Sequence, residues 1–186
     1  MKEESIFADD IVEIIISEKE IQERIKELAS SITQIYKKNK EIIMVCILRG
    51  AAIFMADLAR HVNLSVVFDF MDVSSYGDST ESSGVVRIIK DLEENIEKRH
   101  VLIVEDIMDT GKTLKHVVDM LETRDPASIK IVTLLDKPER RVVKKIEADF
   151  NGFEIPDKFV VGYGLDYAEK YRNLPYIGVI KEEIYS

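Results

Sequence analysis

Residues 101–113 of the chain read Val-Leu-Ile-Val-Glu-Asp-Ile-Met-Asp-Thr-Gly-Lys-Thr. The four apolar residues at the start predict a strand buried on both faces, because no polar residue alternates with them. Two adjacent acids, Glu105 and Asp106, follow the apolar run, and a third acid stands at position 109. Residues 110–113 then open a predicted helix. In open α/β sheets ligands bind at the carboxyl ends of strands, so these polar residues mark a candidate site.

The polar half of this stretch suits a phosphorylated ligand. Adjacent residues of a strand point to opposite faces, so Glu105 and Asp106 do not duplicate each other. Carboxylates only accept hydrogen bonds, and this pair suits a divalent cation or the vicinal hydroxyls of a sugar. Residues 109–113 offer successive backbone N–H groups at a helix N-terminus, where a phosphate binds favourably. Asp109 also suits the N-cap of that helix, and this structural alternative stands beside the functional one.

A nucleotide-triphosphate-binding P-loop is the rival interpretation. Gly111-Lys112-Thr113 matches the end of the P-loop pattern. The pattern also requires a glycine five residues before Gly111, and that position holds Asp106. The sequence therefore disfavours an NTPase.

The pattern around this stretch predicts an α/β fold. Ser17 and Glu20 fit a capping box at the start of a helix over residues 18–39. The other predicted helices cover residues 51–61 and 110–123. The predicted strands cover residues 42–48, 64–73, 85–90, 101–104, 129–135, 158–161 and 176–180. Strands that alternate with helices predict a mostly parallel sheet.

Composition limits the class of protein. The chain has 186 residues, of which 33% are charged and 46% hydrophobic types, and this suits one globular domain over residues 1–186. The formal net charge of −9 argues against a nucleic-acid partner but not against a phosphorylated small molecule. No apolar run is long enough to cross a membrane, and the acidic N-terminus lacks a signal-peptide pattern, so we expect no membrane partner and a cytoplasmic location. The single cysteine, Cys46, lies in an apolar run and predicts an inert buried thiol.

Residues 101–113 resemble the phosphoribosyl-pyrophosphate signature of the type I phosphoribosyltransferases. Four more stretches resemble the hypoxanthine-guanine branch of this family: residues 47–50 (ILRG), 74–77 (SSYG), 134–138 (LLDKP) and 153–167 (FEIPDKFVVGYGLDY). The resemblance implies a mostly parallel central sheet flanked by helices, with a small hood built from the N- and C-terminal segments. It also implies a purine-salvage enzyme that uses Mg²⁺. Such an enzyme transfers the phosphoribosyl group of 5-phosphoribosyl-1-pyrophosphate (PRPP) to N9 of hypoxanthine or guanine and releases pyrophosphate.

The resemblance assigns roles on the PRPP side of the site. Glu105 and Asp106 would hold the ribose hydroxyls and, with Asp166, approach the magnesium ion. Asp109 would be the general base that takes the N7 proton of the purine, since a carboxylate is ionised at neutral pH. The 5′-phosphate would lie on Asp109–Thr113. The residues expected to bind PRPP are Arg49, Gly50, Ser75, Tyr76, Glu105, Asp106, Asp109, Thr110, Gly111, Lys112, Thr113 and Arg172.

The resemblance also assigns roles on the purine side. Lys137 would donate to O6, and because an ammonium cannot accept a hydrogen bond it would favour a 6-oxo purine over adenine. Phe159 would stack on the base, and Val160 would offer it backbone groups. Arg140 and Arg141 are expected to be solvated, although Arg141 could help to bind pyrophosphate. The residues expected to bind the purine are Lys137, Phe159, Val160 and Asp166.

Two loops are expected to bind pyrophosphate and to shield the reaction. The family places a pyrophosphate loop at Arg49-Gly50, often with a non-proline cis peptide at the pair matching Leu48-Arg49. Residues 74–84 are polar and rich in serine and glycine, which predicts a mobile loop. This loop would serve as a lid, since water would trap an oxocarbenium-like centre at C1 of the ribose.

Two alternative functions stay open at this point. A xanthine-preferring phosphoribosyltransferase would differ only in details of the base pocket. A regulator of pyrimidine genes with the same fold would bind RNA and should carry a basic face, which the net charge of −9 disfavours. The family suggests a homodimer or homotetramer.

Overall fold

The structure, a computed structural model, describes residues 6–75 and 86–185. Nine strands and four α-helices lie in these two ranges, with short 3-10 helices at Ala8–Asp10 and Pro138–Arg140. In chain order the strands and α-helices are β1 (Ile11–Ile16), α1 (Glu18–Tyr36), β2 (Glu41–Leu48), α2 (Ala52–His61), β3 (Ser65–Ser75), β4 (Val86–Lys90), β5 (His100–Met108), α3 (Lys112–Glu122), β6 (Ser128–Asp136), β7 (Phe150–Glu154), β8 (Val160–Val161), β9 (Ile177–Ile180) and α4 (Glu182–Tyr185).

Six strands form the central sheet in the order β4-β3-β2-β5-β6-β7. Every neighbouring pair is parallel except β3 and β4, which are antiparallel. The predicted α/β fold with a mostly parallel sheet is therefore confirmed.

Both faces of this sheet are buried, which explains the unbroken apolar runs in the sequence. Met44 of β2 belongs to a core that also contains Ile25 of α1. Its neighbour Val45 belongs to a second core, which contains Val117 of α3. Successive strand residues point to opposite faces, so a strand covered on both sides needs apolar residues at every position.

A second, three-stranded sheet has the order β1-β9-β8, and all its pairs are antiparallel. It joins an N-terminal strand to two C-terminal strands, as expected for the hood. A small core of Val161, Tyr171, Leu174 and Ile180 packs against it. The sequence prediction missed β1, which pairs over a long distance in the chain, Ile11 with Ile180.

Several predicted element bounds differ from the structure. Strand β5 runs four residues past its predicted end, because Ile107 and Met108 still pair with β6. Helix α1 ends at Tyr36 rather than at residue 39, and strand β7 had not been predicted. The capping box at the start of α1 is confirmed: the Glu20 N–H donates to the Ser17 hydroxyl, and the Ser17 N–H donates to the Glu20 carboxylate.

The parallel strands end at one edge of the central sheet. Leu48 of β2 is in register with Asp72 of β3, and Met108 of β5 is in register with Asp136 of β6. Segments that follow these strand ends hold most of the predicted site residues. Among the described residues, no helix is long and apolar enough to cross a membrane.

Candidate active site

Glu105 and Asp106 lie within β5 rather than just after it. The Asp106 carboxylate accepts a hydrogen bond from the Ile107 N–H at 2.7 Å. It also lies against the buried residue Gly50, where a Cβ would come within 2.6 Å of the Asp106 carboxyl carbon. The pyrophosphate loop and the acid pair are therefore in direct contact. Only glycine at position 50 leaves room for the Asp106 carboxylate in this orientation.

The acid pair is half-buried and has few hydrogen-bond donors. Oε2 of Glu105 is buried and has no partner among the described residues. Burial, and secondly the charge of Asp106, raises the pKa of Glu105 well above its ordinary value. Burial also raises the pKa of Asp106, against the effect of its hydrogen bonds and of the Arg172 charge. Such a pair is suited to a cation or to hydroxyl donors, either of which would favour the charged form.

The predicted phosphate loop precedes α3. Gly111 has a φ of 80°, in the left-handed region that favours glycine, and a Cβ there would lie 2.5 Å from Cγ2 of Ile146. The carbonyl of Thr110 accepts hydrogen bonds from the N–H groups of Val142 and Val143, each at 3.1 Å. Residues 141–146 therefore contact the loop and hydrogen-bond to it.

The N-terminus of α3 is left for a ligand. The N-cap residue is Gly111 and no side chain caps the helix, so the alternative role of Asp109 as N-cap is wrong. Lys112 is the first residue of α3, and the Thr110 hydroxyl accepts from its N–H at 3.4 Å. Thr113 and Thr110 line a cavity of about 190 Å³, which also borders Glu105. The glycine N-cap supplies no side-chain acceptor, and the backbone N–H groups of a helix N-terminus are suited to an anion.

Two arginines that the sequence prediction treated as solvated contact this loop. Arg141 is 13% exposed, and its guanidinium binds both the Asp136 carboxylate and the Asp109 carbonyl. Nε of Arg140 lies 2.7 Å from Oδ1 of Asp109. That oxygen has no aligned donor among the described residues, so the contact is an ion pair rather than a hydrogen bond. The expectation of solvation is thus wrong for Arg141, because two acceptors converge on it.

The pyrophosphate loop contacts the segment that carries Asp166 and Arg172. The Leu48-Arg49 peptide is cis. The side chain of Arg49 lies 3.3 Å from the Glu169 carboxylate. Nη2 of Arg172 lies 2.9 Å from Asp166, and Nη1 donates to the Gly164 carbonyl at 2.8 Å. Both cations that were predicted to bind pyrophosphate are therefore paired with acids in this structure.

The predicted purine-reading residues lie at the end of β6 and the start of β8. Lys137 is 8% exposed, and its ammonium donates to the Lys158 carbonyl at 2.7 Å. The Lys137 N–H donates to the Met108 carbonyl at 3.0 Å, which ties the end of β6 to the end of β5. Phe159 is 39% exposed, and Val160, buried, begins β8. A buried ammonium and a partly exposed aromatic ring suit a planar base with an acceptor at its edge.

Some predicted residues are not brought together. Among the described residues, no three His, Cys, Asp or Glu side chains are grouped to hold a metal, so Asp166 does not join Glu105 and Asp106 here. Residues 76–84 of the predicted lid, which include Tyr76, lie outside the described residues, as does the side chain of Ser75. A larger groove of about 550 Å³ lies along Ser128 and Asp149, and it contains none of the predicted site residues.

Comparison with known proteins places these features in one family. The family model described as "Phosphoribosyl transferase domain" matches residues 13–168. The chain is 56% identical over 176 residues to a hypoxanthine-guanine phosphoribosyltransferase of Bacillus subtilis, covering 95% of this chain and 97% of that protein. It is 54% identical over 178 residues to a "Bifunctional protein TilS/HprT" of Listeria monocytogenes, covering 96% of this chain and 27% of that longer protein.

A solved structure agrees with the sequence matches. A hypoxanthine phosphoribosyltransferase from Staphylococcus aureus superimposes with a TM-score of 0.95 at 51% identity, and each chain is covered completely. The fold and the site define a phosphoribosyl-transferring enzyme, and the chain belongs to the phosphoribosyltransferase family. Its resemblance to the hypoxanthine-guanine branch, predicted from the sequence, is confirmed by these relatives.

Proposed function

We propose that this protein joins a 6-oxo purine, hypoxanthine or guanine, to the ribose of PRPP and releases pyrophosphate. The observation that carries the proposal is the meeting of three chemical features at one edge of the sheet. A half-buried acid pair lies within β5, a helix N-terminus without a side-chain cap follows β5, and a buried ammonium follows β6 and donates to the carbonyl of Lys158, the residue before Phe159. They match a ribose, a phosphate and a purine in turn.

The reaction needs one bond to break and one to form at C1 of the ribose. N9 of the purine attacks C1, the C1–O bond to pyrophosphate breaks with its electron pair, and N7 gives up a proton. We assign that proton to the carboxylate of Asp109, which lies between the phosphate loop and the end of β5. Arg140 forms an ion pair with Asp109. The purine N–H must therefore replace the Arg140 ion pair or share the carboxylate with it.

The phosphate loop would position the ribose for this attack. The 5′-phosphate would bind the N–H groups of residues 110–113 at the N-terminus of α3. The ribose hydroxyls would donate to Glu105 and Asp106, which satisfies the buried Oε2 of Glu105. Holding the reacting atoms in this arrangement converts a bimolecular reaction into a unimolecular one.

The acid pair also fits a magnesium ion. Mg²⁺ takes oxygen ligands and is usually bound through one or two carboxylates together with substrate phosphates. Glu105 and Asp106 supply such oxygens, and the partnerless Oε2 of Glu105 supports the fit. When bound, Mg²⁺ stabilises the negative charge of the departing pyrophosphate. Asp166 would approach the metal only after Arg172 releases it, because the two are paired at 2.9 Å.

Base selection would depend on Lys137. Its ammonium is buried and already donates to a carbonyl, so it is positioned to donate to a second acceptor such as O6 of the purine. Adenine presents an amino donor at this position, and the ammonium, which only donates, cannot form a hydrogen bond with it. Phe159, with its exposed face, would stack on the base, and Val160 would offer it backbone groups.

The test of this proposal is a panel of bases assayed with PRPP and Mg²⁺, with the nucleotide product identified. Hypoxanthine and guanine should yield IMP and GMP. A strong preference for xanthine would favour the xanthine enzyme. RNA binding without nucleotide formation would favour the regulator of pyrimidine genes, which the net charge of −9 disfavours.

Three further expectations belong to the same proposal. The chain would act as a single domain, with residues 74–84 closing over the site as a lid. It would work in the cytoplasm, which is supported by a single cysteine that is buried and free. It would assemble as a homodimer or homotetramer, as the family suggests. Size-exclusion chromatography with light scattering tests the last expectation directly.

A further inference from the structure

The ring of Phe159, which the proposed function assigns to the purine, has an aromatic neighbour of its own. Tyr185 of α4 stacks on it with ring centres 4.7 Å apart and an angle of 15° between the planes. Tyr167 meets the same ring edge-on, at 5.7 Å and 86°. Phe159 is therefore held on one face and at one edge by two tyrosines.

The C-terminal segment that carries Tyr185 is fixed to the hood. The N–H of Lys181 donates to the Asp10 carbonyl at 3.0 Å, next to β1. Ile184 packs against the hood core, and its N–H donates to the Lys181 carbonyl at 3.1 Å. In addition, the N–H of Ile180 donates to the carbonyl of Phe159 itself, at 3.3 Å. These contacts bring the Tyr185 ring to Phe159 from the side of the hood.

One face of Phe159 stays available for a ligand. The side chain is 39% exposed although Tyr185 covers one face and Tyr167 meets an edge. Among the described residues, no ring contact covers the face opposite Tyr185, so this face would contribute to the exposed area. A purine stacked there would form the outer layer of a continuous stack with Phe159 in the middle and Tyr185 behind it. Aromatic pairs prefer such offset stacking, and each pair adds to the energy of simple burial.

We infer that Tyr185 is a positioning residue for purine binding, which holds the Phe159 ring in the plane that a base requires. This inference rests on the proposed function. It differs from the opposite possibility, that Tyr185 covers the purine-binding face of Phe159 and must leave before a base can bind. The two possibilities predict opposite changes in the apparent affinity for the base when the tyrosine ring is removed.

The test is steady-state kinetics of the full-length enzyme with guanine and hypoxanthine, each at saturating PRPP. Tyr185→Ala should raise the KM for both bases by about 3- to 10-fold, the range expected for an aromatic stacking contact. The KM for PRPP should change much less, because the ring that Tyr185 contacts, Phe159, is assigned to the purine and not to PRPP. Tyr185→Phe keeps the ring and should restore most of the loss. Glu183→Ala is a matched control in the same helix, since Glu183 makes only a distant ion pair with Lys181, at 4.0 Å.

The outcomes separate the inference from the proposed function. An unchanged purine KM in Tyr185→Ala would overturn the inference, and a lowered one would show that the ring blocks the base. The KM for PRPP could rise as much as the KM for the purine, or Glu183→Ala could raise the purine KM as much as Tyr185→Ala does. Either result would overturn the inference, because it would mean that the C-terminal segment affects the enzyme only through its general stability. Failure of the wild-type enzyme to use any 6-oxo purine would instead refute the proposed function.

Discussion

Substitution of Gly50 by alanine should displace the Asp106 carboxylate, to which the proposed function assigns the ribose hydroxyls. A Cβ at position 50 would lie 2.6 Å from the carboxyl carbon of Asp106 and would overlap its Oδ2. Carbon atoms in ordinary contact are about 3.5–4.0 Å apart, so the carboxyl carbon of Asp106 must move by roughly 1 Å or more. That movement would break the hydrogen bond from the Ile107 N–H, now 2.7 Å long, and would remove the carboxylate from the ribose.

The expected fall in kcat/KM follows from the hydrogen bond between the Asp106 carboxylate and the ribose, which is lost when the carboxylate is displaced. A hydrogen bond to a charged group contributes about 1.5–3 kcal/mol. Since about 1.4 kcal/mol corresponds to a factor of ten, Gly50→Ala should lower kcat/KM for PRPP by about 10- to 150-fold. The melting temperature should fall only slightly, because the clash is with a side chain rather than with the backbone.

A double-mutant cycle with Asp106→Asn gives the decisive control. If Gly50→Ala acts by displacing Asp106, the double variant should be little worse than the more impaired single variant, because both changes remove the same contact. A Gly50→Ala enzyme with kcat/KM within about twofold of wild type would refute the reasoning. Fully additive losses would show that the alanine acts on the pyrophosphate loop and not through Asp106.

Four further outcomes are expected. Asp109→Asn should lower kcat by about 10²-fold or more, with a smaller change in the KM for PRPP, and a near-normal kcat where chemistry limits turnover would remove Asp109 as the base. Arg141→Met should raise the KM for PRPP, because the Arg141 side chain binds both the Asp109 carbonyl and Asp136 of β6. The control is Arg124→Met, which removes an ion pair with Asp91 away from the site and should leave the KM for PRPP unchanged. Excess chelator should abolish nucleotide formation and added Mg²⁺ should restore it; full activity in chelator would contradict the assigned role of the acid pair. Burial raises the pKa of Cys46 from 9.0 to about 12, so Cys46 should resist thiol reagents at pH 8 until the chain is unfolded. The unfolded chain loses the thiol proton at lower pH than the folded chain, so the free energy of unfolding should fall as the pH rises from about 9 towards 12.

Most of the central sheet could be predicted because four of its parallel strands, β2, β3, β5 and β6, carry a local signal. An unbroken apolar run such as that around Met44 is required when both faces are covered, and this requirement is visible in the sequence. Strand β1 reads IVEIII, an apolar run that Glu13 interrupts. Val12 and Ile14 are exposed, and the run does not indicate that the strand pairs with residues near the other end of the chain. Strand β7 is short and contains Gly152, a residue that usually weakens a strand.

The site could be predicted only where a motif carried the chemistry. The acids of β5 and the phosphate loop follow one another in the sequence, so their proximity was already implied. Arg140 and Arg141 lie in a run of charged residues that looks like solvated surface, and only the folded chain brings them to Asp109. The same holds for Tyr185, whose contact with Phe159 depends on the packing of α4 against the hood.

The most direct test of the proposed base recognition is the ratio of kcat/KM for hypoxanthine to that for adenine, measured with PRPP in the wild-type enzyme and in two Lys137 variants. A site built around one hydrogen bond rejects an analogue that lacks it by about 10⁴-fold or more, and the wild-type ratio should reach this size. Lys137→Gln, whose amide can donate or accept, should narrow the ratio. Lys137→Met should weaken hypoxanthine use without adding adenine activity. A wild-type preference for adenine, or equal ratios in all three enzymes, would contradict the assignment of Lys137.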